Sequence, residues 1–310
     1  MPCKLWARIV DGKWQMKHQR NYNRANMKPM IKYRGGKSKE IKFFEDYIPA
    51  DYNRYIEPFV GGGAVFFYLE PSTAIINDLN TRLIQFYNGV KNNYTIMRKE
   101  LDVLSKIYAE NQSEYEALKN QTDSYIENKN ETLYYNLRDM YNGKVRGEFS
   151  NETLYFFINK TAYSGMIRFN SNGEYNVPFG RYRTFNSNVI TDKHNELLKR
   201  TEIYNQDYAE IFNKTNSDDF IFLDPPYDCV FTDYGNTVQN TDFSEDNHRK
   251  LAQDFKNLCS KTLLVIGKTK LTETLYKPYI KKEYPKSYAV NIRNRFKSES
   301  MHLVISNFNK

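Results

Sequence analysis

The segment 220–227 constrains the fold of this 310-residue chain more than any other stretch. Its four apolar residues, Phe220–Leu223, are typical of a strand buried on both faces of a parallel sheet. The run ends abruptly in Asp224, Pro225, Pro226 and Tyr227. Because open α/β sheets bind ligands beyond the carboxyl ends of their strands, these four residues are candidate site residues. The simpler alternative is a tight turn before a helix, with Asp224 as a capping residue.

The groups in this turn suit the binding of a planar amine. Ionised Asp224 only accepts hydrogen bonds, and the carbonyl of Pro225 offers a second acceptor to the same NH₂ group. Two acceptors aimed at the amine hydrogens would localise the nitrogen lone pair as the nitrogen becomes tetrahedral, which is preorganised transition-state stabilisation. Pro226 stiffens the turn because its ring fixes φ. Tyr227 adds a flat face on which a planar ring can stack.

A glycine-rich junction upstream indicates a nucleoside site. An apolar run leads through Phe59 into the glycines 61–63, and a second apolar run ends in Asp78. Gly61 and Gly63 would let a bulky ligand approach the backbone, and Asp78 has nearly the spacing of a carboxylate that holds ribose hydroxyls. Phe66 occupies the last glycine position of the phosphate-binding pattern G-x-G-x-x-G. A nucleoside ligand without phosphates therefore fits better than a dinucleotide.

A third stretch, 30–38, has paired glycines between basic residues and alone would indicate only a solvated turn. Taken in order, however, the three stretches resemble the Dam-like group of adenine-specific DNA methyltransferases. Sequences of that group carry K-W-x-G-G-K, then E-P-F-V-G-x-G, then D-P-P-Y. This chain reads K-Y-R-G-G-K from Lys32 to Lys37, so Tyr33 replaces the usual tryptophan but keeps an aromatic face.

The resemblance implies S-adenosylmethionine as methyl donor and a flipped adenine of duplex DNA as acceptor. Transfer would be direct, without a covalent intermediate or a metal, and Tyr227 would stack on the base. Glu57 could be a second anion near the sulfonium, or a salt-bridge partner at the core edge. The implied catalytic residues are Asp224, Pro225, Pro226 and Tyr227. The implied cofactor-binding residues are Tyr33, Lys37, Phe59, Gly61, Gly63, Asp78 and Asp224.

A fourth stretch, 159–182, is similar to the target-recognition segment of enzymes that methylate adenine in GATC. The resemblance implies that Arg168 and Lys32 each contact a guanine and that Pro178 touches the thymine methyl. Ser164 stands where the family usually has asparagine, and Ile167 replaces a smaller residue, so details of the wedge into the base stack differ. The implied DNA-binding residues are Lys32, Tyr163, Ser164, Met166, Arg168, Asn170, Pro178 and Arg181, of which Arg181 is expected on phosphate.

The predicted fold is α/β: a Rossmann-like methyltransferase sheet with helices on both faces and a C-terminal antiparallel hairpin formed by 288–292 and 301–306. An inserted helical target-recognition domain would carry a β-hairpin with a type I′ turn at Asn172-Gly173. That hairpin could also be a plain surface feature. The predicted boundaries are 28–80 and 200–310 for the catalytic domain and 81–199 for the insert. Residues 1–27 would form a basic extension, either an arm on DNA or a poorly ordered leader.

Composition agrees with a polyanionic partner, since the net charge is +8 and the pI about 9.0. Most of the excess charge lies in residues 1–28, so any DNA groove on the body must be a local patch.

The cysteines, Cys3, Cys229 and Cys259, have neither metal spacing nor an even count, so no zinc site is expected. No apolar run approaches the length of a membrane span, and no signal peptide is visible, which favours a cytoplasmic protein.

Two other functions remain open at this level. One is an RNA or protein amine methyltransferase, because D-P-P-Y also occurs on enzymes that act on other planar amines. The other is a DNA-binding homologue that has lost catalysis, which the intact Asp224, Asp78 and Lys37 argue against. A monomer or a weak dimer on DNA is expected, and a cognate restriction enzyme could accompany the protein.

Overall fold

The computed structural model describes residues 7–10, 13–16, 27–122, 124–227, 243–286 and 300–309. This part of the chain contains one large sheet and one small antiparallel sheet. The strands of the small sheet are β1 (Ala7–Val10) and β2 (Lys13–Met16), both within the predicted N-terminal extension. The strands of the large sheet are β3 (Tyr55–Glu57), β4 (Ala74–Asn77), β5 (Thr201–Tyr204), β6 (Phe220–Leu223), β7 (Lys261–Gly267), β8 (Ile280–Lys286) and β9 (Ser300–Ser306).

The large sheet is mostly parallel, with the strand order β5-β4-β3-β6-β7-β9-β8. Strands β3 to β7 run parallel, whereas β9 is antiparallel to both β7 and β8. The predicted C-terminal hairpin at the sheet edge is therefore confirmed, but its described first strand is β8. The predicted strand 288–292 lies outside the described residues. Strand β8 alternates exposed side chains with half-buried ones and with the buried Tyr284, as an edge strand can, so it lacks the apolar run that marks a buried strand.

Helices cover both faces of this sheet. They are α1 (Ile41–Phe44), α2 (Ala64–Leu69), α3 (Thr81–Lys119), α4 (Lys129–Tyr141), α5 (Asn151–Thr161), α6 (Asp192–Lys199), α7 (Tyr208–Phe212), α8 (Glu245–Asn257) and α9 (Lys270–Tyr276). Ser244 caps α8, as predicted from its position before two acidic residues, because its Oγ accepts the N–H of Asn247. The arrangement is that of a Rossmann-like sheet.

The side chains of strand β6 contribute to the cores on both faces of the sheet. Phe220 and Phe222 pack into the cluster that faces α1, α2, α3 and α6, whereas Ile221 and Leu223 pack into the cluster that faces α7, α8 and α9. Successive side chains of a strand point to opposite faces, so a four-residue apolar run is required when both faces are covered. The predicted burial on both faces is confirmed.

A third core cluster joins the far part of α3 to α4, α5 and the predicted recognition segment. The hairpin of that segment is antiparallel, with a bridge between Phe169 and Tyr175. Its predicted type I′ turn is wrong. The N–H of Glu174 and the N–H of Asn172 bond the side chain of Asn170, and only Gly173, not Asn172, has a positive φ. A type I′ turn needs positive φ at both central residues, whereas a three-residue loop needs it only at the last.

Candidate active site

Three acidic residues that the sequence analysis considered lie at the carboxyl ends of strands β3, β4 and β6. β3 and β6 are neighbours, and the chain continues from them toward opposite edges, to β4 and β5 on one side and β7 on the other. Such a switch point opens a crevice between two strand ends. Glu57 ends β3, Asp78 follows β4 and Asp224 follows β6. The fold therefore brings three acidic residues to one edge of the sheet.

Lys37 and Asp224 form an ion pair in this crevice. Lys37 Nζ lies 2.7 Å from Asp224 Oδ2, and the two side chains are 3% and 20% exposed. Lys37 Nζ also donates to the carbonyl of Gly35 at 3.0 Å. Burial raises the pKa of Asp224 above its usual range, and the charge and hydrogen bond of Lys37 oppose that shift. The lysine thus favours the carboxylate form that the predicted amine-binding role requires.

Glu57 behaves differently from Asp224. It is almost fully buried, and its Oε2 accepts the hydroxyl proton of Tyr55 at 2.8 Å. Burial raises the pKa of Glu57 well above its usual range. Its observed partner is a neutral hydroxyl, so the packing gives little support to Glu57 as a second anion at the crevice.

The ring of Tyr227 lies beside the ion pair. Its hydroxyl donates to Asp224 Oδ1 at 3.2 Å, and Lys37 Nζ lies 4.9 Å from its ring centroid. Pro225 is buried and Pro226 is exposed. The D-P-P-Y turn thus presents a carboxylate and an aromatic ring together.

The glycine turn before α2 is held by Asp78. Gly61 has φ 46°, and its N–H bonds Asp78 Oδ2 at 2.9 Å, while Asp78 Oδ1 accepts the N–H of Asn80 at 2.8 Å. The ring of Tyr33 covers the turn, so that a Cβ on Gly61 would lie 3.0 Å from Tyr33 Cε1. Three predicted cofactor residues, Tyr33, Gly61 and Asp78, are therefore neighbours.

Two other predicted cofactor residues have clear packing roles. Gly63 has φ 68°, and a Cβ there would lie 2.8 Å from Phe67 Cε2, so this glycine makes room for a core ring. Phe59 packs against Tyr208 and Phe243, with ring centroids 5.3 and 6.1 Å away. These contacts account for both residue types without a ligand, and contact of either residue with a cofactor stays a prediction.

Asn77, which the sequence did not single out, links three strand ends. Its Nδ2 donates to the carbonyls of Pro58 at 3.0 Å and Gln206 at 2.9 Å, and its Oδ1 accepts the N–H of Gln206 at 2.9 Å. A buried amide at the end of the apolar strand β4 is the signal that could have identified it. Asn77 fixes the loops after β3 and β5 relative to the start of the Asp78 turn.

Lys32 fastens the N-terminal stretch to the predicted recognition segment. Its N–H donates to Asn159 Oδ1 at 2.9 Å, and Asn159 Nδ2 donates back to its carbonyl at 2.9 Å. Lys32 Nζ donates to the carbonyl of Lys160 at 3.3 Å. Gly165 makes room for this side chain, because a Cβ there would lie 2.2 Å from Lys32 Cδ. The stretch that carries Lys37 is thereby held against the recognition segment.

The predicted wedge residues lie at an exposed bend. Tyr163 is 48% exposed, and Ser164 is exposed with a left-handed φ of 54°. Met166 is half-buried. Arg168 is exposed, and its Nε donates to Asn176 Oδ1 at 2.8 Å, which supports the guanidinium on the hairpin surface.

The remaining predicted DNA-binding residues differ in accessibility. Asn170 is engaged inside the hairpin, since its Nδ2 donates to Glu174 Oε2 at 2.9 Å and its Oδ1 accepts two backbone N–H groups. This turn role explains the asparagine, and its contact with DNA stays a prediction. Pro178 is exposed. Arg181 is 77% exposed, and its Nη2 lies 3.8 Å from Glu131 Oε2.

Neither a metal centre nor a membrane helix is found in the ranges that the structure describes. No cluster there has three or more His, Cys, Asp or Glu side chains arranged to hold a metal ion. No helix there is both long enough and apolar enough to cross a bilayer.

Comparison with known proteins identifies the family. A model of the D12 class N6 adenine-specific DNA methyltransferases matches residues 33–292. The Type II methyltransferase M.CviBI of Paramecium bursaria Chlorella virus NC1A is 35% identical over 289 residues, which cover 91% of this chain and 100% of that protein. The Type II methyltransferase M.MjaIII of Methanocaldococcus jannaschii is 32% identical over 252 residues, 75% of this chain and 80% of that protein. The DNA adenine methylase of Escherichia coli is 27% identical over 241 residues, 76% of this chain and 78% of that protein.

A strand ending in Asp-Pro-Pro-Tyr beside a glycine turn is thus part of a match along most of the chain, and the chain belongs to the D12 class of N6 adenine-specific DNA methyltransferases.

Proposed function

We propose that the protein transfers a methyl group from S-adenosylmethionine to the exocyclic amine of an adenine extruded from duplex DNA. The observation that carries the proposal is the Lys37–Asp224 ion pair, 2.7 Å long, at the switch point of the sheet. Lys37 favours the carboxylate form of Asp224 next to the ring of Tyr227, where a stacked base would present its amine. The Pro225 carbonyl would be the second acceptor for the amine hydrogens.

The residue types around the crevice suit S-adenosylmethionine, which would supply an electrophilic methyl group when bound. Each carboxylate oxygen of Asp78 accepts one backbone N–H, from Gly61 or from Asn80. Each oxygen can accept one more hydrogen bond, and ribose hydroxyls could donate these. Tyr33 adds an aromatic face at the same turn. A carboxylate at Asp78 also suits a cationic donor. Asp224 and the Pro225 carbonyl would orient the amine, and Tyr227 would hold the base plane.

The recognition segment supports a duplex with guanines at defined positions. Arg168 is exposed and held by Asn176, so its planar guanidinium can meet the two acceptors of a guanine edge with little loss of side-chain freedom. Exposed Tyr163 lies on a bend where an aromatic ring could enter the space left by the extruded base. By its resemblance to GATC-methylating enzymes, the proposed target is GATC.

An oligonucleotide panel tests both the reaction and the target. Purified protein and tritiated S-adenosylmethionine are mixed with duplexes that contain GATC, GANTC or GTAC, with the single strands, and with an RNA duplex of the GATC sequence. We expect N6-methyladenine, measured by mass spectrometry of nucleosides, only in the GATC duplex. Methylation of another duplex alone would reject the GATC target, and preferential methylation of RNA would favour the amine methyltransferase alternative. Absence of methyl transfer to every DNA duplex would refute the proposed function.

Replacement of Arg168 by alanine is expected to lower the preference for guanine at one position of the site by about 5- to 150-fold, because a bidentate arginine–guanine pair discriminates by about 1–3 kcal/mol. The measurement is kcat/KM on duplexes that carry each base at that position. Arg183→Ala is the matched control, since Arg183 is 85% exposed immediately after that segment and has no implied base contact. An unchanged preference in Arg168→Ala would contradict the assignment.

Three statements about the protein in the cell stay predictions from the sequence. These are a cytoplasmic location, a monomeric state or weak dimer on DNA, and a cognate restriction enzyme. Size measurement with and without duplex DNA would test the second of them.

A further inference from the structure

A buried polar cluster lies behind the D-P-P-Y turn. Its members are Glu40, Tyr284, Lys286 and His302. Glu40 Oε2 lies 2.8 Å from His302 Nδ1 and accepts the hydroxyl proton of Tyr284 at 2.9 Å. Glu40 Oε1 pairs with Lys286 Nζ. Glu40, Tyr284 and His302 are 3%, 1% and 0% exposed. The cluster therefore consists of polar side chains buried among apolar ones.

The carboxylate at its centre is ionised. Burial alone would raise the pKa of Glu40, but the hydrogen bond to His302 and the positive charges of Lys37 and Lys286 outweigh it and lower the pKa to about 2. Buried ion pairs seldom stabilise a fold more than apolar side chains of the same volume would. The position of this cluster is therefore more informative than its contribution to stability.

The cluster reaches Tyr227 through His302. The ring of His302 packs edge-on against Tyr227, with centroids 5.1 Å apart and an interplanar angle of 83°. Tyr284 packs against His302 in the same manner, with centroids 5.5 Å apart and an interplanar angle of 68°. The imidazole thus lies in contact with two tyrosine rings while Glu40 holds its Nδ1.

Lys37 and Glu40 lie on the same backbone turn, and their side chains hold the two residues that contact Tyr227, Asp224 and His302. The N–H of Glu40 bonds the carbonyl of Lys37 at 2.7 Å, so these two residues lie on a single turn before α1. Lys37 reaches Asp224 and lies 4.9 Å from the Tyr227 centroid, while Glu40 holds His302 against that ring. A shift of this turn would move the carboxylate partner and the ring support together.

We propose that Glu40 and His302 are positioning residues that fix the plane of the Tyr227 ring, and thereby the plane in which the extruded base stacks. This inference rests on the proposed function. Rates depend steeply on such alignment, because a displacement of about 1 Å can lower a rate by about 100-fold. Side chains that hold a site residue are as necessary for its geometry as the residue itself.

A double-mutant cycle tests the inference. Glu40→Gln and His302→Gln are each combined with Tyr227→Ala, and the single-turnover methylation rate and the dissociation constant for S-adenosylmethionine are measured. We expect each single variant to lose about 10-fold in rate, with cofactor affinity within about twofold of the native protein. In the Tyr227→Ala background neither change should lower the rate further, because the ring on which they act is gone.

His194→Gln is the matched control. His194 is a buried histidine of α6, and its Nε2 lies 2.9 Å from the carbonyl of Lys28, away from the D-P-P-Y turn. Its substitution should lower the melting temperature without changing the rate. If His302→Gln does not fold, the isosteric Glu40→Gln gives the same cycle. Additive rate losses in the double variants would overturn the inference alone, whereas a native protein without methyl transfer would overturn the proposed function as well.

Discussion

Substitution of Asp224 by asparagine is expected to lower the single-turnover rate of methyl transfer by about 100- to 1,000-fold, the loss typical when one preorganised stabilising group is removed. The carboxylate would be an acceptor for the amine hydrogens of the target base, and an asparagine cannot supply the same charge. The dissociation constants for duplex DNA and for S-adenosylmethionine should change by less than about tenfold. The substitution is isosteric, so the turn after β6 should keep its shape.

The measurement is transfer of a tritiated methyl group under single-turnover conditions, with thermal melting to confirm that the variant is folded. Asp102→Asn is the control, because Asp102 is a 64% exposed acid in the middle of α3, several turns after the start of that helix near Asp78. A rate within about threefold of the native value would contradict the proposed role of Asp224.

The pH profile gives a second readout of the same residue. Burial raises the pKa of Asp224, so its contribution to stability is greatest at low pH, where it is protonated, and declines as pH rises through the raised pKa. Activity is expected to have the opposite sign, because the proposed role of Asp224 requires the carboxylate, so the rate should fall as pH drops through that pKa. Lys37→Met removes the neighbouring positive charge, so the acid limb of kcat/KM should move to higher pH.

Substitution of Asp219 by alanine should destabilise the protein by about 3 kcal/mol without a comparable effect on the chemistry of the folded enzyme. Asp219 is fully buried at the start of β6, and its two oxygens accept Arg54 Nε at 3.0 Å and Arg54 Nη2 at 2.7 Å. Its Oδ2 also accepts the N–H of Asn216 at 2.8 Å. Removal of the acid leaves a partly buried guanidinium and a backbone donor without their partner.

Urea denaturation measures this effect, provided that the variant and the native protein have the same m-value. Glu245→Ala is the matched control, because it breaks an exposed pair with Arg249 and should change the free energy of unfolding by less than about 1 kcal/mol. A destabilisation of Asp219→Ala that is no larger than that of the control would show the pair to be unimportant. The two acids that flank β6 would thus separate stability at one end of a strand from catalysis at the other.

Much of the fold was predictable because its signals are local. The apolar run Phe220–Leu223 specified a doubly buried strand, and Ser244 before two acids specified the start of α8. Gly61 and Gly63 of the turn before α2 were recognised from their spacing, and their left-handed φ values agree with the need for glycine there. The edge strand β8 was not recognised from the sequence, because its polar alternation carries little apolar signal.

The family, the strand and helix layers, and the set of candidate site residues follow from the sequence alone. Which of these residues touch depends on the packing of the folded chain. Lys37 meets Asp224 across 187 positions of the chain, and Lys286 meets Glu40 across 246. Such pairs leave no periodic pattern, because each member is a single charged residue whose partner is chosen by the packing of distant strands. Local propensities and apolar periods act over a few residues, whereas the geometry of a site at a sheet edge depends on how separate segments converge there.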